Sequence, residues 1–263
     1  MLSQLFNAIL YQPIFNIFVL LYNIVPGHDL GVVIIIITIL IRLVLYPLTS
    51  SSIKAQKSLQ DLQPKIDELK KKHANDKQAL AQATMELYKT HQVNPFKSCL
   101  PMLIQLPILI ALYLVLQNGL KSTNLAQTIY PFIHNPGTIS AISLNFFDLS
   151  KPNIVLAVLA GVAQFLQARS MTTKKAPQGA GEGAKDEDMM AAMNKQMLYF
   201  MPVMTILIGL RIPAGLTLYW FFSTVLAWLQ QIMVTKKQKT PPTPPSSPET
   251  TSEKKVIEGQ IVK

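Results

Sequence analysis

Residues 34–52 read IIIITILIRLVLYPLTSSS. The run is apolar enough for a lipid bilayer, yet it carries Arg42, whose guanidinium stays charged at any working pH. At the centre of a membrane helix an arginine costs roughly 2.5–3.5 kcal/mol on insertion scales. Either its side chain reaches water or a group inside the bundle receives it. The fold and the function both turn on which of these holds.

Working outward, the chain as a whole is that of an integral membrane protein. Only 14% of its 263 residues are charged, against about 25% in soluble proteins, and apolar stretches near 20 residues recur. Five spans are expected, at about 31–49, 99–118, 153–169, 197–211 and 214–234. Only Ile212 and Pro213 separate the last two. Residues 2–25 are apolar but interrupted by Gln4, Asn7, Gln12, Pro13, Asn16 and Asn23. That mixture reads as a helix lying in the interface over 1–27, with a helix that crosses the membrane as the alternative. No Lys or Arg lies in 2–30, so no cleavable signal peptide is expected.

The net charge of +10 sits in a few hydrophilic segments. Lysines crowd 50–98, the segment 169–196 and the start of the C-terminal tail, whereas 119–152 holds only Lys121 and Lys151. The positive-inside rule therefore puts the N-terminus outside and the C-terminus in the cytoplasm, which an odd number of spans satisfies. The loop 53–93 carries Leu59, Leu62, Ile66 and Leu69 at helical spacing, then Leu80, Leu87 and Tyr88. It reads as a helical hairpin or as a solvated connector, with the KKKHAND run between its arms and a helix start at Asn75. Residues 179–188 read as a flexible linker, and 236–263 as a disordered, Pro-rich tail.

Polar side chains gather in the cytoplasmic half of the spans. Thr38, Arg42 and Thr49 share one helical face. Gln105, Gln164, Gln167, Ser223, Thr224, Gln230 and Gln231 lie at similar depth, and Thr205 is mid-depth. Unpartnered in lipid, each would cost a few kcal/mol. Facing one another around water, they would form a cavity open to the cytoplasm and sealed by apolar outer halves. The alternatives are an Arg42 that snorkels to headgroups, glutamines that merely bond neighbouring helices, and Tyr219, Trp220 and Trp228 as packing or belt aromatics. Nothing resembles a catalytic set or a P-loop. Cys99 is the only cysteine and the four histidines lack ligand spacing, so neither an enzyme nor a cofactor or metal is expected.

Longer stretches carry a resemblance. IIIITILIRLVLYPLTSSSIKAQKSLQDLQPKIDELKKKH, LYKTHQVNPFKSCLPMLIQLPILIALY, FMPVMT and PAGLTLYWFFSTVLAWLQQ closely resemble the YidC family of membrane protein insertases, over about residues 10–235. The resemblance implies an all-α membrane protein with five core helices, an N-terminal interfacial helix, a cytoplasmic helical hairpin and a hydrophilic groove. It implies that Arg42, Thr38, Gln105 and Gln167 line the groove, with Gln164 a weaker candidate, and that Trp220, after Tyr219, contacts substrate; Ser223 joins them on pattern alone. It also implies that the hairpin, with Lys70, Lys71, Lys72, His73 and Lys77, recruits substrate and meets the targeting and translocation machinery. Nascent membrane proteins are the expected partners, with the Sec translocon, the signal recognition particle receptor, the ribosome and membrane lipids; no specific nucleic acid is expected. The extra extracytoplasmic domain and its anchor, and the lipoprotein cysteine of other members, are not expected here. A bacterial cytoplasmic-membrane insertase is the reading; a small-solute transporter or channel, or a holding assembly factor, are the alternatives.

Overall fold

The computed structural model describes residues 2–73, 76–121, 128–144, 146–171 and 196–237. The expected linker at 179–188, the helix start at Asn75 and the tail beyond 237 lie outside the described residues, as do Lys174, Lys175 and the stretch MMAAMN that precedes the fourth span. The chain is mostly helical: α1 (Leu2–Phe6) and α2 (Gln12–Ile24) joined by a π-helical turn at Asn7–Tyr11, then α3 (Leu30–Lys72), α4 (Lys77–Thr90) and α5 (Phe96–Lys121). A two-residue antiparallel ladder, β1 (Ile142–Ser143) with β2 (Phe147–Asp148), precedes α6 (Ile154–Met171), α7 (Met201–Gly209) and α8 (Ala214–Lys237).

Three helical stretches are long and apolar enough to cross a membrane: Ser3–Ile24, Leu30–Lys72 and Phe96–Lys121. The apolar helices Ile154–Ser170 and Leu198–Gly209 are shorter. α8 has the length but mixes Ser223, Thr224, Gln230 and Gln231 into its apolar residues. Large apolar side chains stay exposed along these helices, among them Val44 (78%), Leu103 (62%) and Ile154 (65%), as a lipid-facing surface requires.

Local chemistry sets the helix ends. Asp29 caps α3, accepting from Val32 N at 3.0 Å, and also takes Ser143 Oγ and Leu144 N, each at 2.6 Å. One carboxylate thus ties the start of α3 to the ladder. Partial burial pushes its carboxyl up, but these hydrogen bonds outweigh that and hold it below the usual carboxylate range. A depressed carboxylate contributes stability that is present above its unfolded value near 3.9 and is lost as pH falls through the folded value. Asp29→Ala is therefore expected to cost about 1 kcal/mol and to flatten the acid limb of a thermal-unfolding series in detergent; an unchanged acid limb would count against this role.

The expected break between the first span and the hairpin does not exist. α3 runs unbroken through Pro47 and Pro64 for 43 residues, so the membrane segment and the first arm of the hairpin are one helix. The change from apolar to charged residues after Ser52 alters what the helix faces, while Lys, Gln, Leu and Ala continue to favour it. α4 folds back on that arm. Leu62 and Ile66 are buried, as their stripe predicts, and Lys65 Nζ donates to His91 Nε2 at 2.8 Å. The cap of α4 is Asp76, accepting from Gln78 N and Ala79 N, one position after the expected Asn75.

Relative directions follow from the contacts. Arg42 meets Ser223 and Thr49 meets Gln230 at the same separation of 181 positions, and Gly215 faces Ile34 at that offset. A constant offset means that α3 and α8 run parallel. α6 is parallel to α8, since Gly209 brings Ala157 beside Thr217 at one end and Gln231 bonds Ser170 at the other. α7 is antiparallel to α6: Gly209 faces Ala157, Ile206 faces Gly161, and the rings of Tyr199 and Phe165 lie 6.0 Å apart. The bare Gly161 and Gly209 let these two backbones approach closely. Leu116 faces Gly215 and Gln105 meets Tyr219, so α5 is antiparallel to α8. Direction thus alternates along the chain through α3, α5, α6, α7 and α8.

One end of the assembly is closed by apolar packing. Leu30, Val33, Ile34 and Ile37 of α3 pack with Ala111, Leu112, Val115 and Leu116 of α5, Phe15, Phe18 and Val19 of α2, and Leu149. Loop carbonyls satisfy the first turn of α8, with Ala214 N on Lys151 O and Gly215 N on Leu149 O, both at 2.9 Å. The N-terminal helix lies against this end: Tyr11 accepts from Asn118, Asn16 bonds Thr128 and Tyr130, Tyr22 accepts from Ser140 N, and Asn23 donates to His134 O.

Candidate functional site

Beyond the apolar end, buried side chains turn polar, beginning on α3 with Thr38. Arg42 sits one turn further on, half-buried. It does not extend along its own helix. Its Nε and Nη2 donate to Ser223 Oγ of α8, at 3.0 and 2.6 Å. Four residues before Ser223, and so on the same face of α8, the buried Tyr219 hydroxyl accepts from Gln105 Nε2 of α5 at 2.7 Å. Arg42, Ser223, Tyr219 and Gln105 therefore form one polar connection across three helices. Pro101 and Pro107 flank Gln105 on α5.

Among the described residues no carboxylate reaches the guanidinium. The ion pairs among the described residues are Lys57–Asp61, Lys70–Asp67 and Lys151–Asp148, none of them within the apolar segments. A guanidinium has five N–H donors, and one serine oxygen engages two of its nitrogens. Arg42 thus keeps a charge and donors to spare, inside the bundle.

The other sequence-chosen residues divide. Thr38 is fully buried, and its hydroxyl proton is spent on Ile34 O at 2.5 Å, so it packs beside the site with no donor to offer. Gln164 accepts from Thr205 and ties α6 to α7; it bonds a neighbouring helix, as one of the alternatives held. Gln167 is half-buried on α6, and its backbone carbonyl accepts from Ser170 Oγ. Trp220 is half-buried next to Tyr219. In the hairpin, Lys71 and Lys72 are exposed, His73 is half-buried, and Lys70 lies 3.7 Å from Asp67; the Lys77 side chain lies outside the described residues.

Pairings that no single helix reveals complete the picture. Gln230 of α8 donates to Tyr46 O, Thr49 Oγ1 and Ser50 Oγ of α3, at 3.1, 2.8 and 2.9 Å. Gln231 Nε2 donates to Ser170 Oγ at 2.9 Å. Ser50 and Ser170 were not singled out, since isolated serines near helix ends carry little signal; their partners are 180 and 61 positions away. The Trp228 indole N–H and Gln231 Oε1 are buried without a hydrogen-bond partner among the described residues, which leaves open capacity on the same part of α8.

Tyr219→Phe removes the hydroxyl that accepts from Gln105 and keeps the ring. We expect a stability loss of about 1 kcal/mol by thermal unfolding in detergent, with packing retained. No loss would mean that Gln105 finds another partner.

The chain resembles known proteins over most of its length. Residues 20–241 match the family model described as 60Kd inner membrane protein. A protein of Fusobacterium nucleatum named membrane protein insertase YidC is 40% identical over 209 residues, which are 80% of this chain and 87% of that one. Proteins of the same name from Anaeromyxobacter sp. and Geobacter metallireducens are 39% and 33% identical, over 81% and 87% of this chain. There the match covers only 34% and 37% of the relative, so the chain spans about a third of those longer proteins.

Proposed function

The chain belongs to the 60Kd inner membrane protein family of YidC membrane protein insertases, and on that premise we propose how it works. It is a bacterial inner-membrane protein of membrane-protein biogenesis. It admits hydrophilic segments of nascent membrane proteins into a positive, hydrated groove bounded by α3, α5, α6 and α8, and releases their apolar helices sideways into lipid.

The observation that carries this reading is the Arg42 guanidinium, turned into the bundle onto Ser223 with no carboxylate at hand among the described residues. A buried cation without a counter-ion is costly unless water reaches it, and water that reaches it also reaches a client's polar side chains. At 4 Å an acidic residue gains about 1 kcal/mol from such a charge in bulk water and about 4 near a protein surface. The rest of the client's travel is driven by burial of its apolar helix in lipid, about 0.8 kcal/mol per methylene.

In this reading α3, α5, α6, α7 and α8 are five spans, and the alternation of their directions supports that count. The polar side is cytoplasmic and the apolar end faces outward, because α3 leads from the polar side into the lysine-rich hairpin. The N-terminal helix lies in the outer interface rather than crossing. Tyr11, Asn16, Tyr22 and Asn23 all bond to residues 118–140, whereas a crossing helix would have left that end within those 12 positions, about 18 Å. Exposed Lys71 and Lys72 suit the hairpin to acidic surfaces of the targeting receptor, the translocon or the ribosome.

A solute transporter would need polar side chains through both halves, and the apolar packing of the outer half speaks against it. The deciding experiment is reconstitution into liposomes with a nascent single-span client, scored by protease protection. Protection that depends on the protein is expected. Client insertion equal to that of empty liposomes, or solute flux through liposomes holding this protein alone, would overturn the reading.

A further inference from the structure

Where the N-terminal helix meets the last turns of α5, a cavity of about 410 Å³ opens to the surroundings, lined by Ser3, Gln4, Asn7, Tyr11 and Asn118 with Phe6 and Leu114 as its apolar walls. We propose that it holds the headgroup of one outer-leaflet phospholipid whose headgroup carries hydrogen-bond donors. The inference rests on the interfacial position of residues 2–24 given above.

Its chemistry is uncharged throughout. Residues 2–28 contain no Asp, Glu, Lys or Arg, so the cavity selects by hydrogen bonding. Primary amides offer N–H donors and carbonyl acceptors together. The donors suit phosphodiester oxygens, and the acceptors suit an ammonium or hydroxyl on the headgroup. Asn118 Nδ2 donates to the Tyr11 hydroxyl at 2.9 Å, which leaves that hydroxyl's own proton and Asn118 Oδ1 for a ligand. Gln4 and Asn7 have no hydrogen-bond partner in their side chains among the described residues.

Two further features point to a lipid. The π-helical turn at Asn7–Tyr11 coincides with the cavity wall and brings two polar residues of one turn to face α5; such turns recur at functional sites. Beside it, Leu5 is 57% and Ile9 62% exposed, an apolar track along which acyl chains can lie once the head is held.

The test is lipid retention by the full-length protein. It is purified from nanodiscs holding equal phosphatidylethanolamine and phosphatidylcholine, washed in detergent and read by native mass spectrometry. The choline headgroup has the same phosphodiester but no N–H. Wild type is expected to retain one phosphatidylethanolamine at about fivefold preference over phosphatidylcholine, roughly one hydrogen bond's worth. Gln4→Leu and Asn118→Leu are each expected to reduce that preference to about one. Gln4→Leu breaks no protein hydrogen bond, so misfolding does not explain its effect. Equal retention of the two lipids by wild type, or an undiminished preference in Gln4→Leu, would overturn the proposal.

Labelling of a cysteine carried on a short N-terminal tag, away from the cavity, in a Cys99→Ser background, by a membrane-impermeant maleimide separates the two readings. Labelling from outside together with no lipid preference overturns the lipid site alone. Failure to label from outside overturns the interfacial helix and the lipid site with it.

Discussion

Arg42→Ala is expected to lower insertion of clients with acidic translocated segments by about tenfold or more, and of clients with neutral ones much less. Tenfold corresponds to about 1.4 kcal/mol, near the lower end of what one close charge supplies in a wet cavity. The mutation also frees Ser223, but that hydroxyl lies beside Tyr219 and within its hydrogen-bonding reach, so the fold is expected to survive. Arg42→Lys keeps the charge on a flexible stem, loses the two-nitrogen grip on Ser223 and should fall between the two. Protease protection across a client series that differs only in acidic residues measures the effect. A uniform loss across that series would mean that Arg42 is structural; no loss at all would mean that it is dispensable.

The second large effect is expected at Gln230. Its amide donates to three α3 oxygens, two of them side chains, at the level where Pro47 has removed one backbone donor from that helix. Gln230→Leu keeps the volume and leaves Thr49 and the Tyr46 carbonyl to find other partners. A loss of about 2 kcal/mol is expected, at the upper end of measured hydrogen bonds between membrane helices. The readout is the midpoint of thermal unfolding in detergent. Gln230→Glu offers acceptors only and should fare no better. A Gln230→Leu protein as stable as wild type would show that α3 and α8 are held by packing alone.

Much of the architecture was legible from residue order. Apolar runs marked the helices, and the spacing of Leu62 and Ile66 picked out the face on which the hairpin closes. Thr38, Arg42 and Thr49 were placed on one face by the helical repeat, and that face is the one α8 meets. Boundaries were less legible. A shift from apolar to charged residues at Ser52 looked like an end because composition reports what surrounds a helix, whereas propensity decides whether it continues. Asn75 and Asp76 are both good caps, and only the path of the backbone selects the second.

The partners were out of reach. A lone Gln in an apolar helix reads alike whether it faces water, a client or a neighbouring threonine. Gln164 proved to be tied to Thr205, Gln230 to Thr49 and Gln231 to Ser170, while Gln105 joined the connection that leads to Arg42. By itself, the sequence determined that the protein is a helical membrane protein, which face of α3 is polar, and that a charge must be accommodated at Arg42, because those follow from local periodicity and the cost of a cation in lipid. Only the tertiary structure decided that the charge turns onto Ser223 and which amides are consumed as links between helices, because hydrogen-bond partners up to 184 positions apart are set by how helices pack and by no local rule.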